Sequence, residues 1–231
     1  MIMNILAIVP SYNEEKSLPG VIRDLKEHAP EVDVLVVDDG SHDATAQVAD
    51  DRDVNVLKLP FNLGIGGAMQ AGYIYADRQG YDIAVQFDGD GQHVASEIEK
   101  LLQPIISGSS DIVAGSRFLI PGGYQAPLSR KIGMRIFSFL LSRILGTRVT
   151  DTTSGFRAAN RRVIEYFARH YPEDYPEVET LVLLHKKGFR IIEVPVMMRE
   201  RTGGRSSITA VRSAYYMVKV LLAILVDLLK K

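Results

Sequence analysis

Short apolar runs alternate with longer segments of helical periodicity through the first half of this 231-residue chain. The predicted strands cover residues 5–9, 34–37, 54–59, 83–87 and 112–115, and the predicted helices cover residues 18–28, 44–50 and 64–79. Strands that alternate with helices in this way favour a mostly parallel central sheet with helices on both faces. The sequence therefore predicts an α/β fold.

Two of these predicted strands end in carboxylates. Asp38 and Asp39 follow the second strand, and Asp88 and Asp90 follow the fourth, with one glycine between them. Aspartate and glycine are ordinary turn residues, so one such end alone could simply close a strand. Two of them at the carboxyl edge of a parallel sheet, where α/β folds bind ligands, instead indicate a nucleotide-sugar site. Oxygen donors of this kind suit Mg²⁺ or Mn²⁺ bound to a diphosphate.

The composition excludes several classes of protein. Apolar residues make up 46% of the chain, which is enough for one domain with a full core. The 27 Lys and Arg residues are balanced by 28 Asp and Glu residues, so nucleic-acid binding is not expected. The chain has no cysteine, and its five histidines form no H-E-x-x-H motif, so a zinc enzyme is not expected either.

Neither of the common nucleotide-binding loops is present. The glycines at 64, 66 and 67 would need another glycine at position 69 to complete G-x-G-x-x-G, and that residue is Met69. No G-x-x-x-x-G-K-[ST] sequence occurs. These patterns exclude a Rossmann dinucleotide site and a P-loop, and we expect the glycines to let a helix begin close to the sheet.

Nothing in the sequence indicates export or a membrane span. The first residues lack the basic region of a signal peptide, and the apolar stretch 214–229 is interrupted by Lys219 and Asp227. We therefore expect a cytoplasmic protein.

Short motifs along nearly the whole chain occur in the same order as in a known protein family. They are IVPSYNEE at 8–15, VVDDGSHD at 36–43, NLG at 62–64, DGDGQH at 88–93, GSR at 115–117, SR at 129–130, TSGFR at 153–157 and RTGGRS at 201–206. With them the chain resembles a family 2 glycosyltransferase, and within that family it is most similar to dolichol-phosphate mannose synthases and polyprenyl-phosphate glycosyltransferases. The resemblance implies a single GT-A type domain over residues 1–207, with a nucleotide-binding half at 1–118 and an acceptor-binding half at 119–207.

The resemblance also implies roles for individual residues. The donor base and ribose would be held by Pro10, Tyr12, Glu14, Val37 and Asp39, with Asp39 accepting hydrogen bonds from the base. The diphosphate would be bordered by Asp88, Gly89 and Asp90, and the Mg²⁺ or Mn²⁺ ion would be ligated by Asp88, Asp90 and Gln92. His93 would lie close enough to orient one of these ligands.

Four arginines match family positions that face phosphates. Arg117 and Arg130 would bind the acceptor phosphate, since guanidinium groups form bidentate hydrogen bonds with phosphate oxygens; the alternative for each is a surface salt bridge. Arg201 and Arg205 would clamp the donor diphosphate. The family pattern has a lysine where this chain has Ser207, and Arg205 is expected to replace it.

The implied reaction inverts the anomeric carbon of a hexose or N-acetylhexosamine during transfer from GDP-mannose or a UDP-sugar to a polyprenyl (dolichyl or undecaprenyl) phosphate. A phosphate is already anionic, so this reaction requires no catalytic base. Transfer to a sugar hydroxyl, the alternative, would need Asp151 or Glu177 as base. For Asp151, a turn or helix-capping role is the competing interpretation. A non-catalytic sugar-nucleotide-binding subunit of a membrane complex is a third hypothesis.

Two apolar segments indicate contact with a membrane or partner. Residues 132–145 combine hydrophobic side chains with Arg135 and Arg143, which suits either a helix on a membrane surface or a core helix. The apolar helix predicted at 208–231 favours contact with a membrane surface, a membrane-embedded partner or another copy of the chain. We therefore expect a peripheral protein on the cytosolic face of the membrane.

Overall fold

The structure, a computed structural model, describes residues 3–120, 137–139, 141–143, 146, 148–172 and 176–199. Its strands are β1 (Ile5–Ser11), β2 (Val32–Asp38), β3 (Asn55–Lys58), β4 (Ile83–Gln86), β5 (Ile112–Ser116), β6 (Arg157–Asn160) and β7 (Ile191–Pro195). Its helices are α1 (Leu18–His28), α2 (Thr45–Asp50), α3 (Gly64–Gln79), α4 (Ile98–Ile106), α5 (Arg161–Phe167) and α6 (Pro176–Lys186), with a 3₁₀ turn at Ala95–Glu97.

These strands form one seven-stranded sheet in the order β3-β2-β1-β4-β6-β5-β7. Strands β1 to β4 pair in parallel, and β7 is parallel to β5. Strand β6 lies antiparallel between β4 and β5. Because the chain moves outward through β2 and β3 on one side of β1 and returns to β4 on the other, the topological switch point lies between β1 and β4.

Helices cover both faces of the sheet, as the sequence predicts. On one face the buried residues of α3, α5 and α6 pack against side chains such as Leu6, Ile8 and Leu35. On the other face α1, α2 and α4 pack against side chains such as Ala7, Val9 and Val36. The alternate residues of β1 and β2 therefore point to opposite faces, and both faces are apolar because both are buried.

Gly72 shows how closely α3 approaches the sheet. A Cβ atom placed on this glycine would lie 2.3 Å from Cγ2 of Ile8 in β1. The prediction that the 64–79 segment is a helix beginning at its glycines and lying close to the sheet is confirmed.

The segment expected either on a membrane surface or in the core is described only in part. Residues 137–139 and 141–143 are helical, and Phe137 and Leu141 are buried in the core, whereas Phe139 is exposed. Phe137 and Leu141 therefore belong to the core, whereas Phe139 does not. Arg130, Arg201, Arg205, Ser207 and the predicted helix at 208–231 lie outside the described residues. Within the described ranges, no helix has the length and apolarity needed to cross a bilayer.

Candidate active site

The loops that follow β1 and β2 are joined to each other at the carboxyl edge of the sheet. The backbone N–H of Asn13 donates to Ser41 Oγ at 3.0 Å, and that of His42 donates to Asn13 Oδ1 at 2.9 Å. Tyr12, which is 42% exposed, meets the His42 ring edge to face at 6.3 Å between centroids. Tyr12 therefore presents an aromatic ring to solvent where the sequence predicts the donor nucleotide.

The predicted base and ribose residues Pro10, Val37 and Glu14 are less exposed than Tyr12. Pro10 is buried in β1, and Val37 has no exposed surface because it belongs to the core under α3. Glu14 is partly buried, and its carboxylate accepts a hydrogen bond from the Ser17 hydroxyl. The side chains of Pro10 and Val37 therefore support the edge of the sheet from beneath, and Tyr12 is the more accessible group.

Asp39 holds the start of α3. One carboxylate oxygen accepts the backbone N–H of Leu63 at 2.7 Å, and the other accepts that of Gly64 at 2.9 Å. Burial raises the pKa of the Asp39 carboxyl, the charge of Asp38 adds to the rise, and the two N–H donors oppose it. A carboxylate has about four acceptor positions, so this bonding leaves acceptor capacity toward a base.

Asp88 is fixed by contacts on two sides. Gln86 Nε2 lies 3.4 Å from its Oδ1, and His93 Nε2 lies 3.5 Å from its Oδ2. Gly155 faces the same carboxylate, because a Cβ atom on this glycine would lie 3.1 and 3.2 Å from the two Asp88 oxygens. The conformation of Asp88 is therefore determined by residues of β4, of the turn after it and of the segment before β6.

His93 is a buried, neutral histidine beside this carboxylate. Its Nδ1 accepts the backbone N–H of Asp88 at 2.9 Å, so the ring proton is on Nε2, toward the Asp88 side chain. The ring stacks on Phe156 at 4.6 Å and meets Phe87 edge to face. Burial lowers its pKa to about 3; the charge of Asp90 opposes this shift. The contact of Nε2 with the Asp88 carboxylate supports the predicted role of His93 in orienting a metal ligand.

The rest of the turn is tied to neighbouring segments. Gly89 packs against β1, where a Cβ atom would lie 2.6 Å from Ser11 Oγ. Asp90 Oδ1 accepts the Gln92 N–H at 3.0 Å, and the Gln92 carbonyl accepts the Arg199 N–H at 2.7 Å. The turn that carries both predicted metal-binding aspartates is therefore anchored to the switch point and to the end of the described chain.

Asp88 and Asp90 fit a divalent ion shared with a diphosphate. Among the described residues, no three His, Cys, Asp or Glu side chains form a metal-binding group. Mg²⁺ commonly takes one or two protein carboxylates and completes its shell with water and substrate phosphates, which is the donor set that this turn offers. The predicted Gln92 ligand is part of the same turn and is partly buried.

Arg117 and Asp151 form a bidentate ion pair. Arg117 Nε donates to Asp151 Oδ2 at 2.7 Å, and Nη2 donates to Oδ1 at 2.8 Å and to Thr153 Oγ1 at 2.8 Å. The Asp151 side chain has no exposed surface, and that of Arg117 is 17% exposed. Asp151 Oδ1 also accepts the backbone N–H of Thr153 at 3.3 Å, a contact that suits its interpretation as a turn residue. The pair differs from the surface salt bridge that is the alternative for Arg117, because the Asp151 carboxylate is buried.

The ion pair and the aspartate turn are neighbours. Gly155, which follows Asp151 in the same segment, faces the Asp88 carboxylate, because a Cβ atom on this glycine would lie 3.1 and 3.2 Å from the two Asp88 oxygens. The structure thus brings together at one edge the residues predicted for the metal, the diphosphate and the acceptor. Arg130, Arg201 and Arg205 are not among the described residues.

The family follows from the sequence that builds this edge. The family described as Glycosyl transferase family 2 matches residues 6–167. The chain belongs to glycosyl transferase family 2. The matched region includes the loops after β1 and β2, the aspartate turn and the ion pair, so the resemblance carried by the motifs is confirmed.

Relatives within this family match most of the chain. The undecaprenyl-phosphate mannosyltransferase of Micrococcus luteus is 37% identical over 217 residues, which cover 90% of this chain and 88% of that protein. The UDP-N-acetylglucosamine–dolichyl-phosphate N-acetylglucosaminyltransferase of Methanococcus voltae is 34% identical over 212 residues, which cover 83% and 84% of the two chains.

A solved structure has the same fold. Glucosyl-3-phosphoglycerate synthase from Mycobacterium tuberculosis, in complex with Mn²⁺, uridine-diphosphate and phosphoglyceric acid, superposes with a TM-score of 0.73. The two sequences are 19% identical, and the match covers 97% of this chain and 78% of that one. At this identity the likeness concerns the fold alone, and it confirms a GT-A-like α/β fold for this family 2 chain.

Sequence reasoning placed Arg157 only within a motif of this glycosyltransferase family, whereas the structure gives it a specific position. The side chain is buried and donates to the Ser154 carbonyl at 3.0 Å, to Thr180 Oγ1 at 2.6 Å and to the Glu177 carbonyl. Arg157 thus ties the start of α6 to β6. Its buried charge has no signal in the sequence beyond the motif, because two of its acceptors, Thr180 and Glu177, lie on α6.

Proposed function

We propose that the protein is an inverting, metal-dependent hexosyltransferase that moves a hexose or N-acetylhexosamine from a nucleotide diphosphate sugar to a polyprenyl phosphate. The observation that carries this proposal is the bidentate pair of Arg117 and Asp151. It supports a phosphate acceptor, because a positioned guanidinium engages Asp151, which is one of the two residues predicted as a base for a hydroxyl acceptor.

A general base must accept a proton from the attacking hydroxyl. Asp151 is fully buried and has both oxygens engaged by Arg117, with Thr153 also donating to Oδ1, so it is poorly placed for that step. An acceptor phosphate needs no base, and the guanidinium of Arg117 supplies the positive charge that such a phosphate requires. The same pair therefore disfavours a sugar-hydroxyl acceptor that would use Asp151 as its base. We assign Arg130 to the acceptor phosphate with Arg117, from the family motif.

On the donor side, we assign Asp88, Asp90 and Gln92 to a Mg²⁺ or Mn²⁺ ion and Gly89 to the diphosphate backbone. The ion, when bound, would neutralise charge that builds on the leaving diphosphate. Asp39 would accept hydrogen bonds from the base, with Tyr12 and Glu14 beside the ribose. Pro10 and Val37 would shape this site from below, and Arg201 and Arg205 would bind the diphosphate.

The reaction proceeds in line. An oxygen of the acceptor phosphate attacks the anomeric carbon while the bond from that carbon to the donor's phosphate oxygen breaks, so the configuration inverts. The protein contributes by orienting the two phosphates and by stabilising their charge. On the donor side, His93 and Gly155 hold Asp88 in place. On the acceptor side, Asp151 holds Arg117 in place.

The relatives support a lipid-linked acceptor and leave the donor open. One is named for mannose transfer and undecaprenyl phosphate, and another for N-acetylglucosamine transfer and dolichyl phosphate. Such acceptors lie in membranes, so we infer that the protein works peripherally at the cytosolic membrane surface. The apolar residues 208–231 are our candidate for contact with the membrane, a membrane-embedded partner or a second copy.

The test compares two lipid acceptors that differ only in the presence of the phosphate group. The full-length protein with Mn²⁺ is given GDP-mannose, UDP-glucose or UDP-N-acetylglucosamine, together with a short polyprenyl phosphate or the polyprenol of the same chain length. We expect a lipid-linked sugar with the phosphate only, from one of the donors. Transfer to the alcohol or to a sugar hydroxyl would overturn the assignment of the acceptor, and the absence of both transfer and donor hydrolysis would favour a non-catalytic binding subunit.

A further inference from the structure

Glu193, in β7, holds the segment that carries Asp151. Its Oε2 accepts the backbone N–H of Thr150 at 2.7 Å and the Thr150 hydroxyl at 2.6 Å, and its Oε1 accepts the backbone N–H of Asp151 at 2.9 Å. Both oxygens of one partly buried carboxylate are therefore used on two successive residues. Neither the motifs nor the assigned roles include Glu193.

These bonds continue to Arg117. The Ser116 and Thr150 hydroxyls share a hydrogen bond of 2.6 Å, which ties the end of β5 to the same segment. Asp151 then accepts from Nε and Nη2 of Arg117 and also from its backbone N–H at 3.2 Å. A displacement of residues 150 and 151 would thus be transmitted to both the side chain and the backbone of Arg117.

We propose that Glu193 is a positioning residue for the acceptor phosphate, which it serves by fixing Asp151 and, through Asp151, the guanidinium of Arg117. This inference rests on the proposed function, because it assigns the acceptor phosphate to Arg117. An arginine held in place before its ligand arrives loses less side-chain freedom when it binds, which strengthens binding without any new contact.

This role requires a side chain that accepts hydrogen bonds at two oxygens, as the carboxylate of Glu193 does. Three donors point at its two oxygens, and a carboxylate accepts at both of them, whereas a glutamine accepts at only one. In Glu193→Gln, an amide N–H₂ group would face either the Thr150 donors or the Asp151 N–H. The segment would have to move, although the length of the side chain is unchanged.

Asp111 provides a matched control on the same pair of strands. It precedes β5, is buried, and accepts the backbone N–H of Arg190 at 2.9 Å and Asn160 Nδ2 at 2.9 Å. Asp111→Asn therefore also converts a carboxylate that accepts several hydrogen bonds into an amide. It does so at the opposite end of β5 from Arg117. A change in acceptor KM that comes only from weakened pairing of β5 and β7 would therefore appear in both variants.

The experiment measures KM for a short polyprenyl phosphate and for the donor, with the full-length protein and Mn²⁺. In Glu193→Gln we expect the acceptor KM to rise roughly three- to tenfold, the cost of immobilising one long side chain, with donor KM changed less than twofold. In Asp111→Asn we expect neither KM to change. A rise in both constants, or an equal acceptor effect in Asp111→Asn, would show that Glu193 acts only on the fold.

A double variant tests the route through Arg117. If Glu193 acts through this side chain, then Glu193→Gln added to Arg117→Ala raises the acceptor KM no further, whereas independent effects would multiply and overturn the proposal. Thr150→Val, which removes the hydroxyl donor and keeps the side-chain size, replaces Glu193→Gln if that variant does not fold, and the same outcomes apply. If the wild-type protein never glycosylates the polyprenyl phosphate, the proposed function is wrong. If the wild type does so and the acceptor KM is unchanged in the variants, only the role of Glu193 is wrong.

Discussion

The carboxylate of Asp88 occupies space that a side chain at residue 155 would need. A Cβ atom on Gly155 would lie 3.1 and 3.2 Å from the two Asp88 oxygens and 2.8 Å from Gln86 Nε2. Gly155 precedes β6 by two residues, and β6 pairs with β4, which Asp88 follows by two residues. The glycine is therefore the back wall of the predicted metal site.

Gly155→Ala should reduce activity more than stability. The added methyl group would displace Gln86 Nε2 and shift the Asp88 carboxylate by a few tenths of an ångström. This is less than the displacement of about 1 Å that costs on the order of 100-fold in rate, so we expect kcat for transfer to fall by less than that factor while the circular dichroism spectrum is retained. Gly20→Ala, at a helical glycine with no atom near the new Cβ, is the control and should keep wild-type activity. Full activity of Gly155→Ala would show that the absence of a side chain at residue 155 is not needed to position Asp88.

His93 makes two separable contacts with Asp88, one to its backbone and one toward its carboxylate. Asn at position 93 can place an acceptor near the position of Nδ1, and Gln can place a donor near that of Nε2. We expect His93→Asn to fold well but to need about tenfold more Mn²⁺ for half-maximal activity, since an outer partner of a metal ligand typically contributes that much. His93→Gln should keep the Mn²⁺ dependence and lose thermal stability. An identical Mn²⁺ dependence in both variants would show that Nε2 does not orient Asp88.

Asp151→Asn distinguishes a positioning role from a base. Loss of a general base typically costs about 10² to 10⁴ in rate. Because Asp151 holds Arg117 instead, we expect the acceptor KM to rise about tenfold while kcat at saturating acceptor falls by less than tenfold. Thr153→Val removes one hydroxyl acceptor of Arg117 and leaves Asp151 in place, so its effect should be smaller. A kcat loss of the larger size with unchanged acceptor KM would restore Asp151 as a base.

The parts of the fold that sequence alone predicted are those that local patterns determine. The helix 64–79 has the predicted bounds because its first glycine and the Gly80 in left-handed conformation after its end mark both termini. The aspartate turn after β4 was predicted because the strand before it is a continuous apolar run buried on both faces.

The parts that were not predicted depend on partners distant in sequence. Strand β6 has four residues and little hydrophobic pattern, and it is a strand because β4 and β5 lie on either side of it. Arg117 and Asp151 are 34 residues apart, and Glu193 is 42 residues beyond Asp151. No local periodicity encodes such pairs, so the sequence indicated Arg117 and Asp151 as separate candidates rather than as one unit.

Asp111 joins three strands at the edge of the sheet opposite the candidate active site. Burial alone would raise the pKa of its carboxyl, but hydrogen bonds from the Arg190 backbone and side chain and from Asn160 outweigh that effect and lower the pKa below its ordinary value of 3.8. Asp111 therefore stabilises the fold fully above pH 3.8, and this contribution is lost as the pH falls through the lowered pKa.

Asp111→Asn should lower the free energy of unfolding at pH 7 by about 2 kcal/mol, because a buried charged acceptor is removed from several donors. The difference from wild type should shrink as the pH falls below 3.8, where the wild-type carboxyl takes up a proton. Urea denaturation at pH 7 and at successively lower pH measures both effects. Asp50→Asn, which breaks an exposed pair with Lys58, is the control and should change stability by less than about 0.5 kcal/mol. A difference between Asp111→Asn and wild type that stays constant down to the acid transition would show that the stabilisation does not depend on the ionised carboxylate.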